Sequence, residues 1–315
     1  MLEPIRTVVV GTSLGPESDM VVAKALEMAR SLGARLHPVH ATVLPLPYAG
    51  EPFVPWVDEE AIRAQEQIVR QELESQLDRL GVDRSRDLAG VTVQPGAPYQ
   101  VILETVRRLD AGLTVIGHAE GAEGEGTLAR LLGSTADRVL RKATHPVLVV
   151  RGDMPVPPQR VLVPVDLSPL SADAYLCGLG VLDQLKERGP VPFETKVETK
   201  VETLLVLEPY PRQLPYQFTP REARVMASHE LRLFISRAGE ASRGVWSNIR
   251  TGNPRAEILA EATDWPADLV IVGTHGRSGL ERFMLGSVAA GVARDAPCSV
   301  LVIPPESALR AALAA

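Results

Sequence analysis

Cysteine is scarce: the 315-residue chain holds two, Cys177 and Cys298. Two are too few for a disulfide framework, and a reducing, cytoplasmic setting is the expectation. Aromatic residues make up 4%, which argues against extended base-stacking platforms for nucleic acid. No apolar run approaches the ~18 residues of a membrane span. The opening MLEPIRTVVV has no basic region followed by a long apolar stretch, so no secretory signal is expected. Charge of neither sign dominates. Lys and Arg number 33 against 39 Asp and Glu, a net charge of −6, so no global field favours nucleic acid or an anionic membrane. Hydrophobic residues at 45% and charged residues at 23% exclude a wholly disordered chain. The length fits about two domains.

What is present is written twice. Gly133 and Gly286 stand 153 positions apart, as do Val147 and Val300. Ala136, Val139 and Arg141 recur at the same offset as Ala289, Val292 and Arg294. The start recurs too, Arg6-Thr7-Val8-Val9-Val10-Gly11 against Arg160-Val161-Leu162-Val163-Pro164-Val165. A period this long means two domains rather than a solenoid of short units. The boundaries fall at 1–151 and 160–305. The Pro-rich segment 152–159 between them reads as a short stiff linker.

Each half alternates short Val-rich runs with helical patterns. In the second half strands are expected at 160–165, 203–207, 245–250, 268–273 and 299–303. Helices are expected at 169–188, 220–240, 254–264 and 287–295. Ser168 and Thr219 are helix caps, each followed by proline at the first helical position. The first half gives strands near 6–11, 35–39, 91–94, 112–117 and 146–150. Apolar strands alternating with helices imply parallel strands, right-handed crossovers and helices on both faces. The fold class is α/β, two tandem doubly wound parallel five-stranded sheets. The low-complexity run ETKVETKVET at 194–203 reads as an outward extension of the second strand or a loop.

Open α/β sheets bind ligands beyond the C-terminal ends of their strands, where strand order reverses. In the second half the first strand ends in Pro164-Val165-Asp166. The fourth ends in Val272-Gly273-Thr274-His275-Gly276-Arg277, and Gly286-Ser287 opens the next helix. The layout is Gly-x2-Gly-x9-Gly-Ser. Glycines let the backbone approach an anion, and a helix N-terminus offers unpaired N–H groups and positive partial charge. Ser287 adds a hydroxyl, and Arg277 and Arg282 supply charge for phosphate oxygens. Asp166 would repel a phosphate. It therefore suits the ribose or adenine end of a nucleotide, with N-cap service to the following helix as an alternative and compatible role.

These residues resemble the universal stress protein family. The resemblance rests on Val163-Pro164-Val165-Asp166, the glycine motif and the closing Ala296-Pro297-Cys298-Ser299-Val300-Leu301-Val302, and it covers nearly the whole chain as two copies. It implies an adenine nucleotide alpha hydrolase-like fold, dimerisation through the last strand and, in one branch, ATP binding. Carried over, Pro164, Val165, Asp166 and Val206 flank the adenosine. Val272, Gly273, His275, Gly276, Arg277, Gly286, Ser287, Val288 and Ala289 surround ribose and phosphates. ATP-binding members often carry a hydroxyl where this chain has Ala289, which weakens one phosphate contact.

The first half departs from this pattern. Thr12 stands where Asp166 stands. The loop from Gly117 to Gly133 is three residues longer and holds Glu120, Glu123 and Glu125, with no Lys or Arg before Arg130. Those charges oppose a triphosphate, so this half reads as a degenerate copy with a structural role. Bland roles are expected elsewhere. His275 bonds within its loop rather than acting as a base. His37 and His40 fall on opposite faces of a strand, against a zinc site. Cys177 and Cys298 are core residues. Arg221, Arg224, Arg232 and Arg237 form a solvated helix face. Gly124-Glu125-Gly126 is not a dinucleotide loop, because it is acidic and follows no strand directly.

The expected function is a cytoplasmic stress-response regulator whose C-terminal domain binds ATP, with Mg²⁺ as its companion, or another adenine nucleotide. The two domains form an intramolecular pseudo-dimer, open to further homodimerisation, and the nucleotide state tunes an unidentified protein partner. No metal-ion cluster and no efficient catalysis are expected. The rival readings are an interaction module without nucleotide and a slow adenine-nucleotide hydrolase.

Overall fold

The computed structural model describes residues 3–42, 59–118, 132–188, 198–208, 219–274 and 285–305. His275, Gly276, Arg277 and Arg282 lie outside the described residues, as do the glutamates at 120, 123 and 125 and residues 194–197 of the low-complexity run.

The N-terminal half runs β1 (Thr7–Gly11), α1 (Pro16–Leu32), β2 (Arg35–Thr42), α2 (Glu59–Arg79), α3 (Arg84–Asp87), β3 (Thr92–Pro95), α4 (Pro98–Leu109), β4 (Leu113–Gly117), α5 (Ser134–Lys142) and β5 (Val147–Val150). The C-terminal half runs β6 (Arg160–Val165), α6 (Pro169–Arg188), β7 (Lys200–Leu207), α7 (Pro220–Ser236), β8 (Trp246–Thr251), α8 (Pro254–Asp264), β9 (Leu269–Gly273), α9 (Ser287–Asp295) and β10 (Ser299–Ile303). Local chemistry sets the helix ends. Ser168 Oγ accepts the Ser171 N–H at 3.2 Å before α6. Thr219 and Glu222 form a reciprocal capping box before α7, and Asn253 caps α8.

Three boundaries differ from the sequence expectation by three residues or more, and the first is β2, which runs to Thr42 rather than 39. The helix expected over 220–240 stops at Ser236, because Gly239 turns to φ 55° and starts a separate 3-10 turn over Gly239–Ser242. Strand β7 begins three residues early, at Lys200, and takes in the end of the ETKV run. Val201, Glu202 and Thr203 are all buried there by the flanking strands and helices.

All the strands join one ten-stranded sheet in the order β3-β2-β1-β4-β5-β10-β9-β6-β7-β8. Every pairing is parallel except one. β5 and β10 run antiparallel, with Leu148 opposite Leu301 and Val147 opposite Val302. The two halves are thus continuous through their last strands. Two apolar layers flank the sheet, one built with α1, α2, α6 and α7 and the other with α4, α5, α8 and α9. The Val-rich strands are buried on both sides; Val8, Val9 and Val10 have no exposed surface.

Further bonds tie the halves together. Gln184 of α6 accepts the Ile5 N–H at 3.0 Å and donates to Glu3 O at 3.1 Å. Arg151 donates to the Arg294 carbonyl at 2.8 Å, in the last turn of α9, and the ring of His118 contacts both groups. Lys24, buried on α1, pairs with Glu27 and with Asp153 of the linker.

Candidate functional site

In each half the sheet order reverses beside the first strand. β6 leads to β7 and β8 on one side, and the chain then crosses to β9 on the other. The C-terminal ends of β6 and β9 therefore flank the crevice where such sheets bind ligands. β1 and β4 do the same in the first half.

Pro164 and Val165 close β6, Val165 buried and Pro164 half-buried. The chain then turns sharply through Leu167, whose φ is +63°. A left-handed leucine is uncommon and is held only where surrounding bonds over-determine it. Here they do. The Asp166 carboxylate accepts the Ser168 N–H at 2.9 Å, and the Asp166 N–H donates to Ser171 Oγ at 3.2 Å. The sequence left Asp166 open between a ligand role and an N-cap role; Ser168 caps α6, and the Asp166 carboxylate holds the turn before it. The half-buried carboxylate is fixed at the strand end by these bonds.

Across the crevice, Val272 is buried and Gly273 half-buried at the end of β9. Thr274 was not singled out from sequence, yet it organises this end. Its N–H bonds Ile303 O at 2.9 Å, and its carbonyl accepts the Gly286 N–H at 2.8 Å. The strand end is thereby stapled to the start of α9. That contact favours glycine, since a Cβ at Gly286 would sit 3.0 Å from the Thr274 carbonyl oxygen. Ala290 N–H makes the first α9 bond, to Gly286 O. The N–H groups of Ser287, Val288 and Ala289 precede it and have no partner within the helix. Ser287 is exposed, Val288 half-buried and Ala289 buried. Val206, half-buried, lies at the end of the neighbouring β7. Described site residues from three strand ends and one helix start thus surround one crevice.

The first half repeats the scaffold with different polar chemistry at the end of β1, beside a cavity of about 570 Å³ lined by Ser13, Leu14, Gly15 and Arg79 among others. Gly133 has φ −54° and ψ 148°, against −57° and 147° at Gly286. Leu14 is left-handed like Leu167, and Thr12 Oγ1 accepts the Leu14 N–H at 3.0 Å, doing the work of the Asp166 carboxylate. But Thr12 is buried, and Gln76 of α2 reaches into this place with no exposed surface. Thr12 Oγ1 donates to Gln76 Oε1 at 2.9 Å. Gln76 Nε2 donates to Ser18 Oγ at 3.0 Å and to Asp19 Oδ1 at 2.7 Å. His40 Nδ1 lies 2.9 Å from Thr12 O. Every polar atom of the Gln76 amide is engaged inside the protein. In the second half the equivalent helix, α7, turns Leu231 and Phe234 inward, as α2 does Leu73 and Leu77, and Phe234 lies against the Tyr175 ring. Gln76 lies in a long polar helix, and nothing in its spacing marked it.

Two further histidines have separate structural partners. His37 meets Thr92 Oγ1 at 2.8 Å and His145 meets Thr114 Oγ1 at 2.6 Å. Burial holds both imidazoles near a pKa of about 4, helped by the charges of Arg108 and Arg107 respectively. Burial also pushes the Cys298 thiol up to about 12, which makes it an inert core thiol at neutral pH.

The architecture defines a tandem doubly wound α/β protein with a ligand-type crevice at each switch point. The universal stress protein family model matches residues 4–151 and again 158–304, and the chain belongs to that family. It is 27% identical to a universal stress protein of Mycolicibacterium smegmatis over 303 residues, covering 95% of this chain and 97% of the relative. It is 28% identical to one of Mycobacterium tuberculosis over 306 residues, covering 94% and 96%. Among solved structures, a universal stress protein from Archaeoglobus fulgidus aligns with TM-score 0.60 at 19% identity, over 95% of this chain and 98% of the other. A functionally unknown protein from Pseudomonas aeruginosa aligns with TM-score 0.65 at 15% identity, over 98% and 95%. These two share the fold. Among the described residues, no helix is long and apolar enough to cross a membrane.

Proposed function

We propose that the C-terminal half binds ATP, with Mg²⁺, or a related adenine nucleotide, and that its loaded state regulates a protein partner in a stress response. The observation that carries this reading is the contrast between the halves. Both keep the glycine-led helix start, but at the end of β1 the first half has Thr12, buried and bonded to Gln76. In the second half the half-buried carboxylate of Asp166 stands at the end of β6. A carboxylate there suits ribose hydroxyls or an adenine amino group, and a helix N-terminus suits phosphate oxygens. Pro164, Val165, Val206 and Val272 supply the apolar wall for the base. Gly286, Ser287, Val288 and Ala289 take the phosphates, joined by Gly273, His275, Gly276 and Arg277. A bound Mg²⁺ would neutralise phosphate charge.

The proposed role is binding: the Asp166 carboxylate is engaged in the turn before α6. Thermal unfolding with and without MgATP tests the reading. A ligand that binds only the native state raises the melting temperature as its concentration passes the dissociation constant. The increase is expected for the unaltered chain and for Thr12→Ala, and should vanish in Asp166→Ala. No increase for the unaltered, folded chain would leave the interaction-module reading in its place.

A further inference from the structure

The exposed large apolar side chains of the described residues are unevenly placed. Val225, Met226 and Leu233 lie on α7 and Trp246 opens β8, whereas Met20, Ile68 and Leu176 sit singly on three other helices. Isolated exposed residues need no explanation, but a concentration at one edge does.

That edge is also the less protected end of the sheet. β3 and β8 are the two outer strands. β3 has four residues and ends on Pro95, both common devices against edge pairing. β8 has six, with neither Pro nor Lys, and Trp246 is 66% exposed. Gly252 N–H bonds Leu207 O, so residues of its parity face β7. Ser247, Ile249 and Thr251 then direct their N–H and C=O groups outward. Among the described residues no strand pairs with them.

Beside this edge a groove of about 340 Å³ runs between α7 and β8, lined by Arg224, Ser228, Leu231, Arg232, Ser247 and Ile249 among others. No carboxylate lines it. Arg232 Nε donates to Ser228 O at 3.1 Å, and neither arginine is in an ion pair among the described residues. In a protein of net charge −6 this is a local cationic strip.

We propose that the β8 edge accepts an extended acidic peptide segment of a partner protein as an added strand. Main-chain bonds to Ser247, Ile249 and Thr251 give affinity, and alternate side chains give specificity. Those on the α7 side place carboxylates against Arg224 and Arg232. Those on the other side lie over Trp246, which alternates in direction with Ser247. A second copy of this chain pairing edge to edge would set the same arginines against each other, so charge favours a foreign acidic segment. The proposal stands independently of nucleotide binding.

The test is fluorescence anisotropy of a labelled ten-residue peptide of alternating Glu and Val, titrated with the full chain beside its Lys–Val counterpart. The Glu–Val peptide is expected to bind at least about tenfold more tightly and to weaken as salt rises. Arg224→Glu with Arg232→Glu should weaken it about tenfold or more. Ser247→Pro removes one outward donor and leaves the β7 ladder intact, and should weaken it similarly. The salt series and the charge-reversed peptide use the unaltered chain, so the test does not depend on the variants folding. Equal affinity for both peptides, no binding by either, or binding indifferent to salt and to folded variants would each overturn the proposal. So would a dimer in sedimentation that the peptide does not displace.

Discussion

Replacing Gln76 tests whether the packing at the end of β1 is held by specific polar bonds or merely by volume. The side chain has no exposed surface and makes three hydrogen bonds, with Thr12, Ser18 and Asp19. A net hydrogen bond is worth about 1 kcal/mol, and one to a charged group about 1.5–3 kcal/mol. Part of the loss is recovered, because Thr12 and Ser18 remain 2.9 Å apart and Asp19 keeps Arg79 at 3.3 Å. Gln76→Ala should therefore cost about 2–3 kcal/mol. Gln76→Leu restores most of the volume but sets apolar atoms against the Asp19 carboxylate, and should cost at least as much. Urea titration measures both as shifts in midpoint at constant slope. If Gln76→Leu were tolerated within about 0.5 kcal/mol, the range of an ordinary surface change, the packing would be held by size alone and the polar account would fail.

Stability should fall with acid because of the buried imidazoles. His145 titrates near 4 in the fold and near 6.5 unfolded. Its contribution is fully present above about pH 6.5 and is lost as pH drops toward 4, amounting to about 3 kcal/mol. His37 acts in the same direction. Urea midpoints that stay flat between pH 7 and 4.5 would contradict this. Arg250 pairs with Glu257, Glu261 and Asp264, while Glu202 lies buried nearby with its carboxyl pushed up by burial and by Glu261. Arg250→Met should cost about 3–5 kcal/mol at neutral pH by leaving buried carboxylates unpaired, and less in acid. Gly286→Ala presses a methyl group on the Thr274 carbonyl. It should shift the start of α9 and weaken nucleotide binding about tenfold, at about 1 kcal/mol in stability, read by titration and by melting.

Much of the fold was legible because its signals are local. Val-rich runs such as Val8-Val9-Val10 and Val300-Leu301-Val302 mark strands covered on both faces, and Ser168 and Thr219 mark helix starts through their own side chains. The repeat was legible because both copies kept the Gly-Ser helix start. What escaped depends on distant partners. The sequence left residues 200–203 open between strand extension and loop; a strand forms, with Glu202 buried beside Asn248, Glu261 and Arg250. The polar cluster joins Thr12 to a residue 64 positions away. Thr274 matters through its backbone, which any residue possesses. The β5–β10 contact followed from family resemblance; the antiparallel register of Leu148 with Leu301 came only from the structure.

The central claim is one nucleotide site in two similar halves. Calorimetric titration of MgATP into the full chain tests it most directly. The account predicts a stoichiometry near one, lost in Asp166→Ala and kept in Thr12→Ala and Gln76→Ala. Two sites per chain, or binding that survives Asp166→Ala and disappears with Thr12→Ala, would contradict it.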